Sequence, residues 1–360
     1  MRLGWSRIGL DLTVSKRNHT RMINHPHRIQ SCLGWLLLAV LLVAAPGYAQ
    51  TPATGLLIKN HQKVVFMGDS ITGLGWSESG GYVHLVTSGL DTLGVKIVPT
   101  PTGVGGNTSR EMLARLDKDV LTVKPDWLLL SCGVNDVWGR SNGVDLEHFK
   151  KNMTTIVDRA QAAGIKVMIL TPTPIYEACV TEFSPPLTEY VAFLVQFARD
   201  RKLPLADLHA AFLTSLKTQP NATAWGTRYL TVDGVHPNPD GHQVMAQGVL
   251  EAFGATPAQI NQVKTVWLDA PGGATLSMQI GFRGAESITL RQYAVLKQVA
   301  AQRKVPLAAL IEGVYIESVT AALQAHTDFT TVIPDNVSNE ALPIFKAKIN
   351  ALVGDLPQKP

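Results

Sequence analysis

The chain has 360 residues, 46% hydrophobic and 17% charged, a composition that supports a large buried core and excludes an intrinsically disordered protein. Its formal net charge is +4, but residues 1–49 hold six of the 32 basic residues and one of the 28 acidic ones, which leaves 26 basic and 27 acidic residues beyond them. The chain beyond residue 49 is therefore nearly neutral and lacks the excess positive charge that binds nucleic acids and anionic membranes. We expect neither of them as a partner.

The first segment, residues 1–49, is typical of a secretory leader. An uncharged apolar run, Leu33–Ala45, is followed by small residues at Gly47 and Ala49, which fits a signal-peptide cleavage site. The run is shorter than the roughly 20 residues that normally span a bilayer, which favours cleavage over a retained membrane anchor. We therefore predict a signal peptide over 1–49, with Met22 as an alternative start, and a periplasmic or secreted mature protein without a stable membrane anchor.

From residue 62 to about 253, short apolar runs alternate with longer amphipathic stretches. Continuous apolar strands between helices predict a parallel sheet that is covered on both faces, an α/β fold. In such sheets ligands bind at the edge where the carboxyl ends of the strands meet. Strands are predicted at 64–67, 95–98, 127–131, 166–170 and around 204–207, and helices near 81–92, 109–122, 145–163 and 187–200.

Residues 255–360 break this pattern and predict a small, mostly helical C-terminal appendage. An alternating strand over 275–282 precedes two helices within 288–323, and Thr289 with Gln292 forms a capping box at the start of the first helix. A strand followed by two helices is also the pattern of a ribbon-helix-helix DNA-binding unit, but the near-neutral charge disfavours that reading. We interpret the appendage as a packing or dimerisation segment and leave the oligomeric state open.

Four short motifs follow successive elements of the α/β region, so they are expected at one edge of the sheet. A serine, a histidine three residues after an aspartate, and candidate oxyanion donors are the components of an acyl-transfer site. The motifs are Gly68-Asp69-Ser70, Gly103-Val104-Gly105-Gly106-Asn107-Thr108, Gly133-Val134-Asn135-Asp136 and Asp233-Gly234-Val235-His236-Pro237, the last of which precedes a helix that opens near Asp240.

Each of these residues has a role that acyl-transfer chemistry requires. A serine hydroxyl is a poor nucleophile near neutral pH, so Ser70 needs a base, for which His236 is the candidate, and Asp233 is close enough in sequence to orient that imidazole. The backbone N–H groups of Ser70 and Gly106 and the side-chain amide of Asn135 could stabilise the charge that develops on the carbonyl oxygen. Glycine suits position 106 because the backbone there must approach the substrate closely.

This set of residues resembles the GDSL or SGNH hydrolase family, which is named for the Ser, Gly, Asn and His that stand here as Ser70, Gly106, Asn135 and His236. The resemblance covers about residues 62–253 and implies a three-layer, flavodoxin-like α/β/α domain, which we place at 50–254. It also implies hydrolysis of esters or thioesters through a covalent acyl-serine, without a metal or an organic cofactor.

Every motif also has a purely structural explanation. Ser70 could cap a helix, the glycine block could be only a turn, Asn135 could form an Asx-turn and His236 could be a loop residue. Within the glycine block, Gly105 competes with Gly106 for the oxyanion role. The occurrence of all four motifs in order, after the appropriate elements, favours the hydrolase over coincidence.

A competing nucleophile lies at Gly139-Arg140-Ser141-Asn142-Gly143, which matches the G-x-S-x-G elbow of α/β-hydrolases. In that elbow the serine lies directly between a strand and a helix. Here the predicted strand ends at residue 131, and the six residues from Gly133 to Trp138 intervene before Gly139, so we interpret Ser141 as a loop serine.

The cysteines that remain after processing give no metal motif. Cys132 and Cys179 could pair in an oxidising compartment, or each could be a small buried residue. No His/Cys spacing in the sequence indicates a metal site.

The substrate is the least determined part of the prediction. Aromatic side chains with polar neighbours can bind sugar rings and acyl chains equally well. They could instead have the structural role of covering the hydrophobic core. We favour a small acyl group on a carbohydrate, with a lysophospholipid or thioester, or a non-catalytic carbohydrate-binding protein, as alternatives. The candidate substrate-binding residues are Trp76, Trp138, Tyr176, Trp225 and Tyr229.

Overall fold

The structure, a computed structural model, describes residues 55–139, 142–177, 181–219, 228–278, 284–324 and 334–354. The predicted signal peptide lies outside these residues, and so do Ser141, Cys179 and Trp225. The inferences drawn on them stay predictions.

A five-stranded parallel sheet forms the centre of the protein, in the strand order β2-β1-β3-β4-β5. Its order and direction confirm the predicted flavodoxin-like α/β sheet. The runs 127–131 and 166–170 are strands with the bounds that the sequence indicates. The strands are β1 (Lys63–Gly68), β2 (Val98–Gly103), β3 (Trp127–Ser131), β4 (Lys166–Leu170) and β5 (Leu205–Ala206).

The predicted strand at 95–98 is wrong, because the second strand is β2 at Val98–Gly103. The segment reads VPTPTG, and its prolines at 99 and 101 lack the N–H group that a central strand would need. β2 lies at the edge of the sheet, where such residues are tolerated. Val95 and Ile97 are buried in the core ahead of the strand, which explains their apolar character.

Two layers of helices cover the sheet, as the fold class requires. Because side chains alternate along a strand, Val64 and Phe66 of β1 belong to one core cluster, whereas Val65 and Met67 belong to the other. Helices α3, α5 and α6 contribute to the second cluster and α1, α2, α7 and α8 to the first. Their bounds are α1 (Ser70–Ser77), α2 (Tyr82–Thr92), α3 (Ser109–Ala114), α4 (Val134–Trp138), α5 (Leu146–Ala162), α6 (Ser184–Asp200), α7 (Leu208–Leu216) and α8 (Pro239–Ala252), and a π-helical turn spans Asp117–Leu121.

The C-terminal region is mostly helical, as predicted. It contains α9 (Pro257–Asp269), an antiparallel hairpin of β6 (Ala274–Met278) and β7 (Gly284–Ile288), and then α10 (Leu290–Gln302), α11 (Leu307–Gln324) and α12 (Pro334–Gly354). The capping box of Thr289 and Gln292 at the start of α10 is present.

This region extends the first core cluster rather than standing apart from it. Trp267 of α9 is fully buried, and its Nε1 donates a hydrogen bond of 3.1 Å to the carbonyl oxygen of Leu85 in α2. Helix α11 is long and apolar enough to cross a membrane by length and composition alone, but its residues Leu310, Ile311 and Val314 are buried within the protein. The predicted domain boundary between residues 254 and 255 stays a prediction.

Candidate active site

Ser70 lies where strand β1 ends and helix α1 begins. Asp69 is the N-cap of α1, because its Oδ1 accepts a hydrogen bond of 2.9 Å from the N–H of Ile71. Ser70 is therefore the first residue of the helix and not its cap, so its N–H is among those that have no partner within the helix. Gly68 permits this sharp junction, since a Cβ at that position would lie 2.1 Å from Oγ1 of Thr72.

The candidate nucleophile, base and orienting acid form a continuous chain of hydrogen bonds. Oγ of Ser70 lies 2.9 Å from Nε2 of His236, and Nδ1 of His236 lies 2.6 Å from Oδ2 of Asp233. When Nδ1 carries the proton and donates a hydrogen bond to Asp233, Nε2 is free to accept the hydroxyl proton of Ser70. The structure thus brings together three residues that are up to 166 positions apart in the sequence.

Asp233 is also bonded to the backbone of its own turn. Its Oδ1 accepts from the N–H of Val235 at 2.9 Å and from the N–H of His236 at 2.8 Å. Burial raises the pKa of Asp233, but the hydrogen bonds from the side chain and backbone of His236 and the backbone of Val235 outweigh it and lower the pKa below its ordinary value. Asp233 is therefore kept ionised beside the imidazole that it orients.

A second carboxyl lies beneath the candidate nucleophile. Asp69 is buried, and desolvation raises its pKa from 3.8 to about 6, against the lowering effects of the Ile71 N–H and of His236. Asp136 adds to the increase through its own charge. The N-cap of α1 is thus an acid whose ionisation the protein interior resists.

The three predicted oxyanion donors lie in three different segments, and their role stays a prediction. The N–H of Ser70 is at the start of α1, Gly106 lies in the β2–α3 loop with a φ of 76°, and Asn135 lies in the first turn of α4. One N–H of the Asn135 amide donates to the carbonyl oxygen of Asn107 at 3.2 Å, and the amide carries a second. A Cβ on Gly105 would lie 3.8 Å from Cβ of Ser70, whereas a Cβ on Gly106 would have no other atom within 4 Å.

Arg115 joins two of the motifs, a role that the sequence did not reveal. Its Nη2 donates to the carbonyl oxygen of Gly68 at 2.8 Å, and its Nε donates to Oδ1 of Asn107 at 2.7 Å. The end of β1 and the loop that precedes α3 are therefore held by one half-buried guanidinium. Nothing in the spacing of the motifs indicates this contact, since Arg115 lies in a helical stretch.

Asp136 of the third motif is hydrogen-bonded to Ser109, the residue that directly follows the second motif. Its Oδ1 accepts from the N–H and from Oγ of Ser109, at 3.0 Å and 2.6 Å. Burial raises the pKa of Asp136, and the Ser109 hydrogen bonds oppose that increase. Cys132 is a buried free cysteine, 3.5 Å from Oδ2 of Asp136, and burial likewise raises the pKa of its thiol.

The predicted substrate-binding aromatics have different surroundings. Trp76 is 38% exposed and stacks on His84 with ring centroids 4.5 Å apart. Trp138, Tyr176 and Tyr229 are partly buried and pack against the first core cluster. Their contact with a substrate stays a prediction.

Comparison with known proteins identifies the family to which this fold and site belong. The sequence profile of the GDSL-like lipase/acylhydrolase family matches residues 66–244. A crystal structure of an acetyl xylan esterase, AlAXEase, is 33% identical, and the match covers 53% of this chain and 98% of that chain with a TM-score of 0.50. The chain belongs to the GDSL-like lipase/acylhydrolase family.

Two further relatives of this family member are curated enzymes. The acetylxylan esterase of Geobacillus stearothermophilus is 29% identical over 219 residues, which cover 55% of this chain and 96% of the relative. Esterase TesA of Pseudomonas aeruginosa is 30% identical over 110 residues, which cover 30% of this chain and 53% of the relative. The GDSL-like protein described here is accordingly a hydrolase of ester bonds.

All of the candidate catalytic residues lie within the segment that the family profile matches. Residues 66–244 contain the four motifs, with Ser70 near the start of the match and His236 near its end. Residues beyond 244, including the C-terminal helices, lie outside it. The resemblance recognised from the motifs is therefore confirmed for the α/β region.

Proposed function

We propose that this GDSL-family hydrolase is an exported serine esterase that removes small acyl groups from a carbohydrate through an acyl-serine intermediate. The observation that carries the proposal is the chain of hydrogen bonds from Ser70 through His236 to Asp233, at 2.9 Å and 2.6 Å. This geometry is what activation of a serine hydroxyl requires, because the base touches the nucleophile and the acid fixes the tautomer of the base.

In the acylation half-reaction, Oγ of Ser70 bonds to the carbonyl carbon of the ester while its proton passes to Nε2 of His236. The N–H groups of Ser70 and Gly106 and the amide of Asn135 stabilise the negative oxygen of the tetrahedral intermediate. The intermediate then expels the alcohol, which takes the proton from His236 and leaves the acyl group on Ser70.

The deacylation half-reaction repeats these steps with water as the nucleophile. His236 takes a proton from the water, whose oxygen bonds to the acyl carbon, and the second tetrahedral intermediate releases the carboxylic acid. The proton on His236 returns to Oγ of Ser70, which restores the free enzyme. Asp233 stabilises the charged imidazole in both half-reactions without taking its proton.

The relatives support the proposed substrate class. Two of the proteins that this chain resembles are named acetylxylan esterases, enzymes whose ester is a small acetyl group on a polysaccharide. Trp76 is 38% exposed, and because His84 stacks on one face of its ring, the opposite face is the one on which a sugar ring could stack. We therefore place acetylated xylan-type carbohydrates ahead of lysophospholipids and thioesters.

The serine mechanism can be tested by labelling the purified mature protein with a fluorophosphonate and mapping the modified peptide. We expect one labelled residue, Ser70, and no label in the Ser70→Ala variant. Label on Ser141 together with an active Ser70→Ala protein would transfer the nucleophile to the G-x-S-x-G segment. Absence of both labelling and turnover would assign the protein to the carbohydrate-binding alternative.

The substrate class can be tested with a matched panel of acetylated xylooligosaccharide, p-nitrophenyl acetate, lysophosphatidylcholine and an acyl-thioester. The proposal predicts the highest kcat/KM on the acetylated oligosaccharide, with release of acetate. A higher kcat/KM on the lipid or the thioester would leave the serine mechanism intact and replace the substrate class.

Export rests on the apolar leader of the sequence. We expect protein recovered from a secreting host to begin near Gln50 and to be found in the periplasm or medium. Retention of Met1 or Met22 in a membrane fraction would instead identify an anchor.

A further inference from the structure

The loop that carries Asp233 and His236 is bonded to one carboxylate from a distant part of the chain. Oε1 of Glu177 accepts hydrogen bonds from the backbone N–H groups of Leu230 and Thr231, at 3.0 Å and 2.8 Å, and from Oγ1 of Thr231 at 2.5 Å. The N–H of Tyr229 donates to both carboxylate oxygens, at 3.0 Å to Oε1 and 2.9 Å to Oε2. Three successive backbone donors thus converge on Glu177.

The burial of Glu177 makes this contact a strong constraint. The residue is 3% exposed, and a buried carboxylate is stable only where hydrogen bonds replace the water that it has lost. Consecutive backbone N–H groups form a concave anion site of that kind. If the 229–231 backbone moved away, both the carboxylate and the N–H groups would lose their partners.

The contact extends from Glu177 to the turn that contains Asp233. Oγ1 of Thr231, which donates to Glu177, also accepts a hydrogen bond of 3.1 Å from the N–H of Gly234. On the other side of the same turn, the N–H of Tyr176 donates to the carbonyl oxygen of Gly234 at 2.6 Å. Gly234 is therefore held from two directions, and Asp233 directly precedes it.

The backbone at Tyr176 and Glu177 adopts a conformation that costs free energy. Both residues have positive φ values, 60° and 56°, which side chains other than glycine rarely adopt. Gly234 has a φ of 100°, and a Cβ there would lie 2.7 Å from Cδ1 of Tyr176. Such strain persists only where surrounding contacts fix it, and here the contacts are those to the 229–234 backbone.

The rest of the loop is closed by its own hydrogen bonds. The N–H of Val232 donates to the carbonyl oxygen of His236 at 2.9 Å, and Nδ2 of Asn238 donates to the carbonyl oxygen of Tyr229 at 3.0 Å. The position of the 229–231 backbone therefore sets the position of His236. Glu177 holds that backbone from outside the loop.

We propose that Glu177 is a positioning residue for the general base: it fixes the 229–236 loop so that His236 meets Ser70, without touching the substrate itself. This inference rests on the proposed function, because it assumes that His236 acts as the base. A misplacement of the reacting groups by about 1 Å can lower the rate by about 100-fold, so loss of this anchor should act on kcat.

The test compares Glu177→Ala and Glu177→Gln with Glu189→Gln, an exposed glutamate on α6 that serves as the matched control. We expect Glu177→Ala to lower kcat on p-nitrophenyl acetate by about 100-fold, with KM changed by less than about threefold. Glu177→Gln keeps an oxygen in the position of Oε1, so its kcat should be intermediate. The control should match the wild type.

Two readouts separate positioning from a merely structural role. Active-site titration with a fluorophosphonate should label the folded variants completely but more slowly, so that kcat per labelled site is reduced. In a His236→Ala background the base is already absent, and Glu177→Ala should then change the residual rate by less than about threefold. A structural role would instead lower the labelled fraction and leave kcat per site unchanged.

Wild-type kcat per labelled site in both Glu177 variants would overturn the inference, as would an equal fold-loss in the wild-type and His236→Ala backgrounds. If Glu177→Ala does not fold, the isosteric Glu177→Gln variant decides by the same measurements. Failure of the proposed function gives a different result, since either Ser70→Ala would remain active or the wild type would show neither labelling nor turnover, whatever happens at Glu177.

Discussion

The two sides of the candidate site are held by different kinds of structure, although Ser70 and His236 lie only 2.9 Å apart. Ser70 follows strand β1, which is paired on both sides, and it opens helix α1, so regular backbone hydrogen bonds fix the nucleophile. His236 lies in an irregular loop whose backbone is held by the side chains of Glu177 and Asn238. Single polar substitutions should therefore disturb the base more readily than the nucleophile.

The pKa values of the aspartates in these two regions are shifted in opposite directions. Desolvation raises the pKa of Asp69, whereas hydrogen bonds from His236 and Val235 outweigh burial and lower the pKa of Asp233. The difference follows from position, since Asp69 is 2% exposed beneath the sheet edge and Asp233 is half exposed in the loop. Asp69, a buried N-cap, and Asp233, the half-exposed acid that orients His236, therefore have different electrostatic environments although both are aspartates.

The largest expected effect comes from removing either end of the Ser70–His236 hydrogen bond. Ser70→Ala and His236→Ala should each lower kcat on the order of 10⁴-fold or more, and the double variant should be little worse than either one, because the two groups act as a unit. Steady-state kinetics on p-nitrophenyl acetate, with circular dichroism as a control for folding, measure this. Losses that multiply in the double variant would show that the two regions act independently.

The next largest effect should separate stability from catalysis. Leu129 of β3 is 1% exposed, so Leu129→Ala should lower the free energy of unfolding by about 2–5 kcal/mol, through lost burial and a residual cavity. Because the sheet holds Ser70 through many contacts, kcat per titrated site should stay within about threefold of wild type. Urea unfolding and active-site titration test this, with Leu129→Met as the volume-matched control. A large fall in kcat per site would show that the sheet does not hold Ser70 more robustly than the side-chain contacts hold His236.

The raised pKa of Asp69 predicts a dependence of stability on pH. The folded protein holds the Asp69 proton up to about pH 6, whereas the unfolded chain releases it near its ordinary value of 3.8. The contribution of this group to stability therefore decreases as the pH rises from about 4 to 6, by on the order of 3 kcal/mol. Asp69→Asn keeps an N-cap oxygen and should gain stability relative to wild type over that interval.

Urea unfolding at pH 4, 6 and 7 measures the Asp69 effect, and Asp145→Asn is the control. Asp145 is the N-cap of α5 but is exposed, and hydrogen bonds from His148 lower its pKa. Stability from such a group is present above the unfolded pKa and is lost as the pH falls through the folded pKa. The Asp145→Asn control should therefore gain no free energy of unfolding relative to wild type between pH 4 and 6. An equal gain in Asp69→Asn and Asp145→Asn would contradict the prediction.

A somewhat smaller effect is expected at Asn135. Asn135→Ala should lower kcat by about 100-fold, because one preorganised donor to the oxyanion is lost, while KM changes much less. The variant also loses the hydrogen bond to Asn107, so urea unfolding should accompany the kinetics. A kcat within about threefold of wild type would exclude Asn135 as an oxyanion donor.

The parallel sheet could be predicted from the sequence because its central strands are continuous apolar runs. WLLLS at 127–131 and KVMIL at 166–170 are buried on both faces, so their composition alone indicates strands with well-defined ends. β2 could not be predicted in this way, since VPTPTG contains prolines that are compatible with a strand only at a sheet edge. Its edge position is a property of the strand order, which local composition does not encode.

The order of the four motifs, and so the candidate nucleophile, base and acid, followed from the sequence by itself, because chemistry restricts which residue types can fill those roles. Only the tertiary structure decided what holds them. Glu177 contacts the backbone at 229–231, and Arg115 contacts the carbonyl oxygen of Gly68. Such contacts between a side chain and distant backbone leave no periodicity or spacing in the sequence. Backbone N–H and C=O groups are the same at every residue, so their side-chain partners become visible only when the chain is folded.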